Sequence, residues 1–291
     1  MKRILITGAN SYVGTSFEKH LKRWKDQYTV DTVDMVDGSW REKSFRGYDA
    51  VFHVAGIVHM KNKKNDADQI ALFDRVNVQL AVETAKKAKA EGVGQFIFMS
   101  SASVYGLVAP VGRLIMITKD TPVAPTDNYG ISKAKAEEGL LALAGDGFRL
   151  AILRPPMIYG KDCKGNYATL SKLARKLPVF PHVENQRSML YIENLSELVR
   201  LVVDDEAEGI FCPQNEEYVN TSEMVNLIAH AHGRNILLLK GCGWALRQLR
   251  FVTEMADKAF GSLCYDKNLG AYPRPYCMKN LSESVMETES D

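Results

Sequence analysis

The sequence predicts an α/β protein built on a doubly wound parallel sheet, followed by a smaller C-terminal lobe. Three observations predict it. A short apolar run near the N-terminus ends in a glycine turn and opens a helix. Further short strand-like runs then alternate with helical stretches as far as about residue 153. Beyond that point the pattern loosens into short elements rich in Asn, Pro and Gly. The 291 residues fit one large α/β unit or a sheet domain with an appendage, since a single hydrophobic core stops growing at roughly 250 to 300 residues. The expected division is 1–160 for the sheet domain, with some later segments returning to it, and 161–291 mainly for the lobe.

Taken in order, Arg3 to Thr7 (RILIT) reads as a strand, and Gly14 to Trp24 repeats apolar and basic residues at helical spacing. Tyr28 to Met35 alternates like a strand and Ala50 to Val54 is another. Only 15 residues separate Met35 from Val51, too few for a full helix and strand, so this crossover is expected to be abbreviated. A long helical stretch from Phe73 to Gly92 leads to the strand Gln95 to Met99; Tyr129 to Leu143 is helical; Arg149 to Leu153 is a buried strand running into Arg154-Pro155-Pro156. From Trp244 to Phe260, Ala245, Leu249, Val252, Ala256 and Ala259 share one helical face while Arg247, Arg250 and Lys258 lie elsewhere. That amphipathic helix is expected to dock on the protein's own core, with peripheral membrane contact as the alternative. The acidic end, 281–291, is expected to fray.

Composition narrows the function classes. Hydrophobic residues make up 46% and charged residues 25%, and the net charge of +2 comes from interspersed signs, which gives no footprint for nucleic acid. The five cysteines are odd in number and lack any CxxC pairing, so a disulfide framework and a bound metal are both unexpected, and a reducing cytoplasm is the expected location. No run approaches the ~18 apolar residues of a membrane span, and the N-terminal apolar run is too short for a signal peptide.

Gly8, Ser11 and Gly14 (GANSYVG) take the spacing of a GxxGxxG turn directly after the first strand and at the start of a helix. In that context a glycine allows the sharp turn, and the helix N-terminus offers N–H groups to a pyrophosphate. This is the signature of a Rossmann-type dinucleotide site. Ser11 departs from it, and its hydroxymethyl group must point away from the phosphates or donate to them. Asp34, twenty residues beyond Gly14, can accept both ribose hydroxyls of NAD and repel the 2'-phosphate of NADP, so NAD is favoured. Asp31 and Asp37 compete for that role, and Arg41 could neutralise a 2'-phosphate, which keeps NADP open.

Tyr129 and Lys133 (YGISK) stand four apart at the start of a helix, so both project from one face. A tyrosine with a pKa near 10 is a poor base at neutral pH. A nearby ammonium, together with the positive ring of an oxidised nicotinamide, would bring it toward working pH. The run Ser100-Ser101-Ala102-Ser103-Val104-Tyr105-Gly106 follows the QFIFM strand, which sets hydroxyls at the C-terminal edge of a parallel sheet, where ligands bind. Glycine turn, serine strand-end and Tyr/Lys helix in this order make coincidence a poor explanation.

Over residues 1 to 230 these motifs resemble the extended short-chain dehydrogenase/reductase superfamily, in its NAD-dependent epimerase/dehydratase branch. The likeness runs through TGANSYVG, FHVAGI, RVNVQLA, MSSASVYG, YGISK, LRPPMIYG and RSMLYIENL. It implies catalytic Ser101, Tyr129 and Lys133, with Lys133 also on the nicotinamide ribose. It further implies cofactor contacts from Gly8, Asn10, Ser11, Tyr12, Val13, Gly14, Ala55, Gly56, Asn77, Ser100 and the Pro155-Pro156 backbone, and substrate contacts from Ser103, Asn166 and Arg187. Arg187 matches the family's arginine for the substrate diphosphate, a task suited to a bidentate guanidinium, although Ser188 stands where aspartate is usual. Ala102 and Ser103 stand where 4,6-dehydratases carry an Asp-Glu pair, and Met157 replaces an asparagine of many epimerases. The activity so implied is C4 epimerisation of a nucleotide sugar, UDP-hexose or UDP-N-acetylhexosamine. The alternatives are an NADPH-dependent 4-keto-sugar reductase and a 4-epimerase for a polyprenyl-diphosphate sugar. A homodimer is a further expectation.

Overall fold

A computed structural model describes residues 1–58, 66–241 and 253–290. In chain order its strands are β1 (Lys2–Thr7), β2 (Tyr28–Val33), β3 (Ala50–His53), β4 (Gln95–Met99), β5 (Leu114–Ile117), β6 (Arg149–Leu153), β7 (Met157–Tyr159), β8 (Val179–Pro181), β9 (Met189–Tyr191), β10 (Gly209–Phe211), β11 (Leu237–Leu239) and β12 (Ser262–Tyr265). Its helices are α1 (Tyr12–Leu21), α2 (Ala67–Phe73), α3 (Leu80–Ala90), α4 (Asn128–Leu141), α5 (Asn166–Lys176), α6 (Ile192–Asp204), α7 (Thr221–Ala231), α8 (Thr253–Phe260) and α9 (Leu281–Glu289). They form two compact units. The first comprises Met1–Gly106, Pro122–Pro155 and Leu195–Cys212, and the second comprises Leu107–Thr121, Pro156–Asn194 and Pro213–Asp291.

The first unit holds a six-stranded, fully parallel sheet in the order β10-β6-β4-β3-β1-β2. Its inner strands are buried on both faces, β3 and β4 along their whole length, which is why AVFH and QFIFM read as continuous runs rather than alternating ones. One face is covered by Ala81, Ala85 and Ala88 of α3 and by Ala136 and Leu140 of α4. On α1, Phe17 sets its ring edge-on to Phe52 of β3, centroids 5.2 Å apart. The chain leaves β1 toward β2 on one side, and β3 returns on the other, so the crevice beyond β1 and β3 is the topological switch point where ligands bind in such sheets.

The β2–β3 crossover is abbreviated. Its only helical piece is a 3₁₀ turn at Ser39–Arg41, and Trp40, Phe45 and Tyr48 join the core cluster where the missing helix would have packed. The second strand ends at Val33, two residues before the expected Met35, leaving Asp34 just past the strand. The long stretch read from Phe73 to Gly92 is helical but not uniform: α2 passes through a π-helical segment, Asp74–Gln79, into α3.

The second unit is assembled from three two-stranded parallel pairs, β5 with β12, β7 with β9 and β8 with β11, and from helices α5, α7, α8 and α9. The expected fraying of the acidic end is corrected here. Residues Leu281–Glu289 form a helix, because Asn280 and Glu283 cap it reciprocally and Ser284 and Val285 are buried. Ser284 Oγ lies 2.7 Å from Tyr159 Oη, and Glu289 binds His232 at 2.7 Å. Of the amphipathic segment, α8 buries Ala256 and Phe260, leaves Lys258 exposed and sets Phe260 5.8 Å from Phe180, as docking on the lobe's own core requires. Ala245, Arg247, Leu249, Arg250 and Val252 lie outside the described residues, as does the membrane contact assigned to them. Among the described residues no helix is long and apolar enough to cross a membrane.

Candidate active site

The site begins at the turn after β1. Gly8 adopts φ +94°, and a Cβ there would stand 3.0 Å from the backbone N and Cα of Ala55, so only glycine allows both the turn and the close approach to the loop after β3. Ala55 is buried and Gly56 exposed; Asn10 is exposed with φ 64°, while Tyr12 and Val13 begin α1 half-buried. Ser11 caps α1, its Oγ accepting the Gly14 N–H at 3.1 Å. This answers where the hydroxymethyl group points: toward its own helix terminus, taking up one of the N–H groups that a glycine there would leave to a ligand.

Between this turn, the abbreviated crossover and α3 lies a cavity of about 720 Å³, lined among others by Gly8, Ser11, Asp34, Trp40, Arg41, Gly56 and Glu83. Asp34 is exposed on its rim, with Oδ1 accepting the Val36 N–H at 2.8 Å. Its competitors are occupied elsewhere. Asp31 accepts from Tyr48 Oη at 2.7 Å, Asp37 accepts from Ser39, and neither lines the cavity. Arg41 pairs with Glu83 at 2.6 Å, and its guanidinium lies over Trp40. A helix N-terminus, a wall that only glycine permits and a rim carboxylate fit the diphosphate and ribose of a dinucleotide.

The loop after β3 is held from beneath. Asn77, 1% exposed in the π-helical segment, accepts from Ile57 N at 2.9 Å and donates to Ile57 O and to Ser132 Oγ, both at 3.0 Å. An extra residue in a helix turns this amide inward, a common use of π-segments near functional sites.

The second half of the site lies at the ends of β4 and β6. Ser101 leaves β4 and caps a 3₁₀ turn, its Oγ accepting the Ser103 N–H at 3.1 Å and reaching Ser103 Oγ at 3.2 Å. Pro155, buried at the end of β6, accepts the Ala102 N–H at 2.9 Å. Helix α4, capped by Asp127, is seated on this loop through Gly130, where a Cβ would come within 2.5 Å of Ser103 O. Tyr129, Lys133 and Ser101 are thereby brought together. Burial pushes the Tyr129 phenol up to about 12, against a hydrogen bond with Ser101 that lowers it. Lys133 donates to Met99 O at 2.7 Å and stands 6.0 Å from the Tyr129 ring centre; burial brings it down to about 8, and Glu137 opposes that fall. The expected lowering of the phenol by the ammonium is not seen in the chain alone, where burial dominates, and ionising Tyr129 requires a further positive charge beside it.

The residues expected to contact substrate fall in both units. Ser103 lies in the first. In the second, Asn166 is the exposed first residue of α5; Met157 opens β7, directly after Pro156 of the expected cofactor loop. Arg187 donates Nη1 to Gly261 O at 2.9 Å and pairs with no carboxylate among the described residues, though burial opposes its charge. Ser188, where aspartate is usual, is buried; it donates to Gln214 at 2.6 Å and accepts the Tyr265 N–H at 2.8 Å. A carboxylate in that position could not donate to Gln214 and would be buried without a cation. Sequence reasoning passed over Trp40, Glu83, Glu137 and Arg154. The acid at Glu137, four residues past Lys133 on one helix face, was the available signal for the last two.

The chain is 32% identical over 289 residues to the UDP-glucose 4-epimerase of Vibrio cholerae, covering 91% of this chain and 87% of that one. It is 27% identical over 223 residues to the N-acetyl-α-D-glucosaminyl-diphospho-ditrans,octacis-undecaprenol 4-epimerase of Escherichia coli O157:H7, covering 71% and 64%. In fold it is similar to the UDP-glucuronic acid 4-epimerase of Bacillus cereus in complex with NAD, with a TM-score of 0.74, 15% identity and coverage of 99% and 97%. The sequence profile of the NAD dependent epimerase/dehydratase family matches residues 4–220, and the chain belongs to that family.

Proposed function

We propose that the protein is an NAD-dependent 4-epimerase of a sugar carried on a diphosphate, with UDP-hexose or UDP-N-acetylhexosamine as substrate. The observation that carries this reading is the grouping of Ser101, Tyr129 and Lys133 at the sheet's carboxyl edge, with Ala102 and Ser103 beside them in place of acids. Dehydration needs an acid to protonate a departing hydroxyl and a base for the C5 proton, and neither neighbour can serve.

The chain's residues divide the work. Gly8 and the α1 N-terminus would hold the cofactor diphosphate, Asp34 the adenosine ribose, and Lys133 the nicotinamide ribose. Bound NAD would supply the cationic acceptor, and in turn the donor, for a hydride at the sugar C4. Tyr129 takes the C4 hydroxyl proton, Ser101 holds the same oxygen, and Lys133 stabilises the phenolate; on return Tyr129 gives the proton back. Arg187 would grip the substrate diphosphate.

A polyprenyl-diphosphate sugar presents the same diphosphate to Arg187, and the likeness to the E. coli enzyme supports it as the second reading. The deciding experiment uses sugars deuterated at C4, on UDP in one arm and on polyprenyl diphosphate in the other, with no added reductant. Equilibration at C4 with the label retained is the expected result. Consumption of NAD(P)H by a 4-keto sugar, with no label retained from any 4-hydroxy sugar, would replace the epimerase by a reductase.

A further inference from the structure

Directly behind the Tyr129–Lys133 pair, the first unit buries a set of charges that the proposed mechanism leaves without a role. Glu137 and Arg154 are 3% and 7% exposed. Arg154 Nη2 meets Glu137 Oε2 at 2.5 Å, and its Nε lies 3.0 and 3.2 Å from the two carboxylate oxygens. Ser100 Oγ donates to the same carboxylate, and Arg154 Nη1 donates to Tyr105 Oη at 2.9 Å. One side chain therefore joins three segments: the end of β4 next to Ser101, the end of β6 next to Pro155, and α4, which carries Tyr129 and Lys133. Stability is a weak reason for such a pair, since apolar replacements of buried ion pairs are often neutral or stabilising.

We propose that Glu137 is a positioning residue for the proton relay: its carboxylate, paired with the Arg154 guanidinium, fixes the Ser100–Ser101 strand end against α4 and sets a negative charge one helical turn from the Lys133 ammonium. The inference rests on the reading of Lys133 given above. The groups facing Lys133 support it. Tyr129 and Glu137 come from its own helix, the Met99 carbonyl from β4, and His53 from β3, where burial holds the imidazole neutral with a pKa of about 3. Arg154 lies beyond the carboxylate. Glu137 is therefore the anion that offsets burial of the ammonium, and the phenolate needs that ammonium.

The test reads Lys133 directly and without substrate, through the ¹³Cε shift of lysine-labelled protein, with Lys133→Met assigning the signal. In Glu137→Gln the Lys133 midpoint should fall by about one unit, a tenfold loss of ammonium on the alkaline side, and the alkaline limb of kcat should move down with it. Ser100→Ala, which keeps the charge, should leave the midpoint in place and lower kcat with KM unchanged. If Glu137→Gln leaves a buried guanidinium unpaired and does not fold, Glu137→Gln with Arg154→Gln removes both charges and should shift the midpoint the same way by less. An unchanged midpoint in the folded variant overturns the proposal. A midpoint that falls while the alkaline limb stays fixed upholds the electrostatic role of Glu137 and overturns the role of Lys133 in turnover.

Discussion

At the scale of single residues, burial works against the charge on Lys133. Lys133 ordinarily titrates at 10.5 and burial brings it down to about 8. A group depressed in the folded state contributes stability above its unfolded pKa and loses it as pH falls toward the folded value, so Lys133 weakens the fold at neutral pH. Lys133→Met should therefore raise stability at pH 7 by roughly 2 kcal/mol, after the loss of the bond to Met99 O is counted, and the gain should shrink as pH rises from 8 to 10.5. The same variant should lose turnover and affinity for NAD. Urea unfolding at several pH values checks the first claim and cofactor titration the second; a destabilised Lys133→Met would contradict the burial argument. The triad was legible in the sequence because Tyr129 and Lys133 are four apart and the serines follow a strand. Glu137 was missed although it stands four residues past Lys133, because a glutamate on a helix reads as solvated until Arg154, seventeen residues on, is seen to meet it.

At the scale of elements, local signals decided which segments the sequence disclosed. Strands β3, β4 and β6 are apolar runs buried on both faces, and their ends were visible to within a residue. The π-helical segment at Asp74–Gln79 carries no mark in its composition; it exists because Asn77 bonds Ile57 and Ser132. The C-terminal helix α9 was misread because its acidic composition suggested solvation, whereas Asn280 and Glu283 spell a capping box just ahead of the buried Val285. Asn280→Ala should cost about 1 kcal/mol, and Asn280→Gly less. Amide exchange in 281–289 should rise in the alanine variant while α1 and α4 are unaffected. Unaltered exchange there would show that packing of Val285 and Glu289, not the cap, holds the helix.

At the scale of the whole molecule, the buried centre of the parallel sheet sets the acid limit of stability. His53 is fully buried between the rings of Phe96 and Phe98 and shares a 2.8 Å hydrogen bond with Thr7. Burial takes it from an ordinary 6.5 to about 3, so its stability is intact above about pH 6.5 and is lost as pH falls toward 3. From pH 7 to pH 5 the loss should be about 2 kcal/mol, and His53→Leu combined with Thr7→Val should remove it; an unchanged pH slope in that double variant would assign acid sensitivity elsewhere. The abbreviated crossover has a separate consequence. With no strand beyond β2 among the described residues, the sheet ends there in a row of backbone donors and acceptors, a template on which another chain could add and aggregate. The outermost strand is only six residues long and carries Asp31 between its threonines, with Tyr48 and Arg3 holding the carboxylate. An incoming strand would have to bury that charge, so the shortened fold guards its own open border.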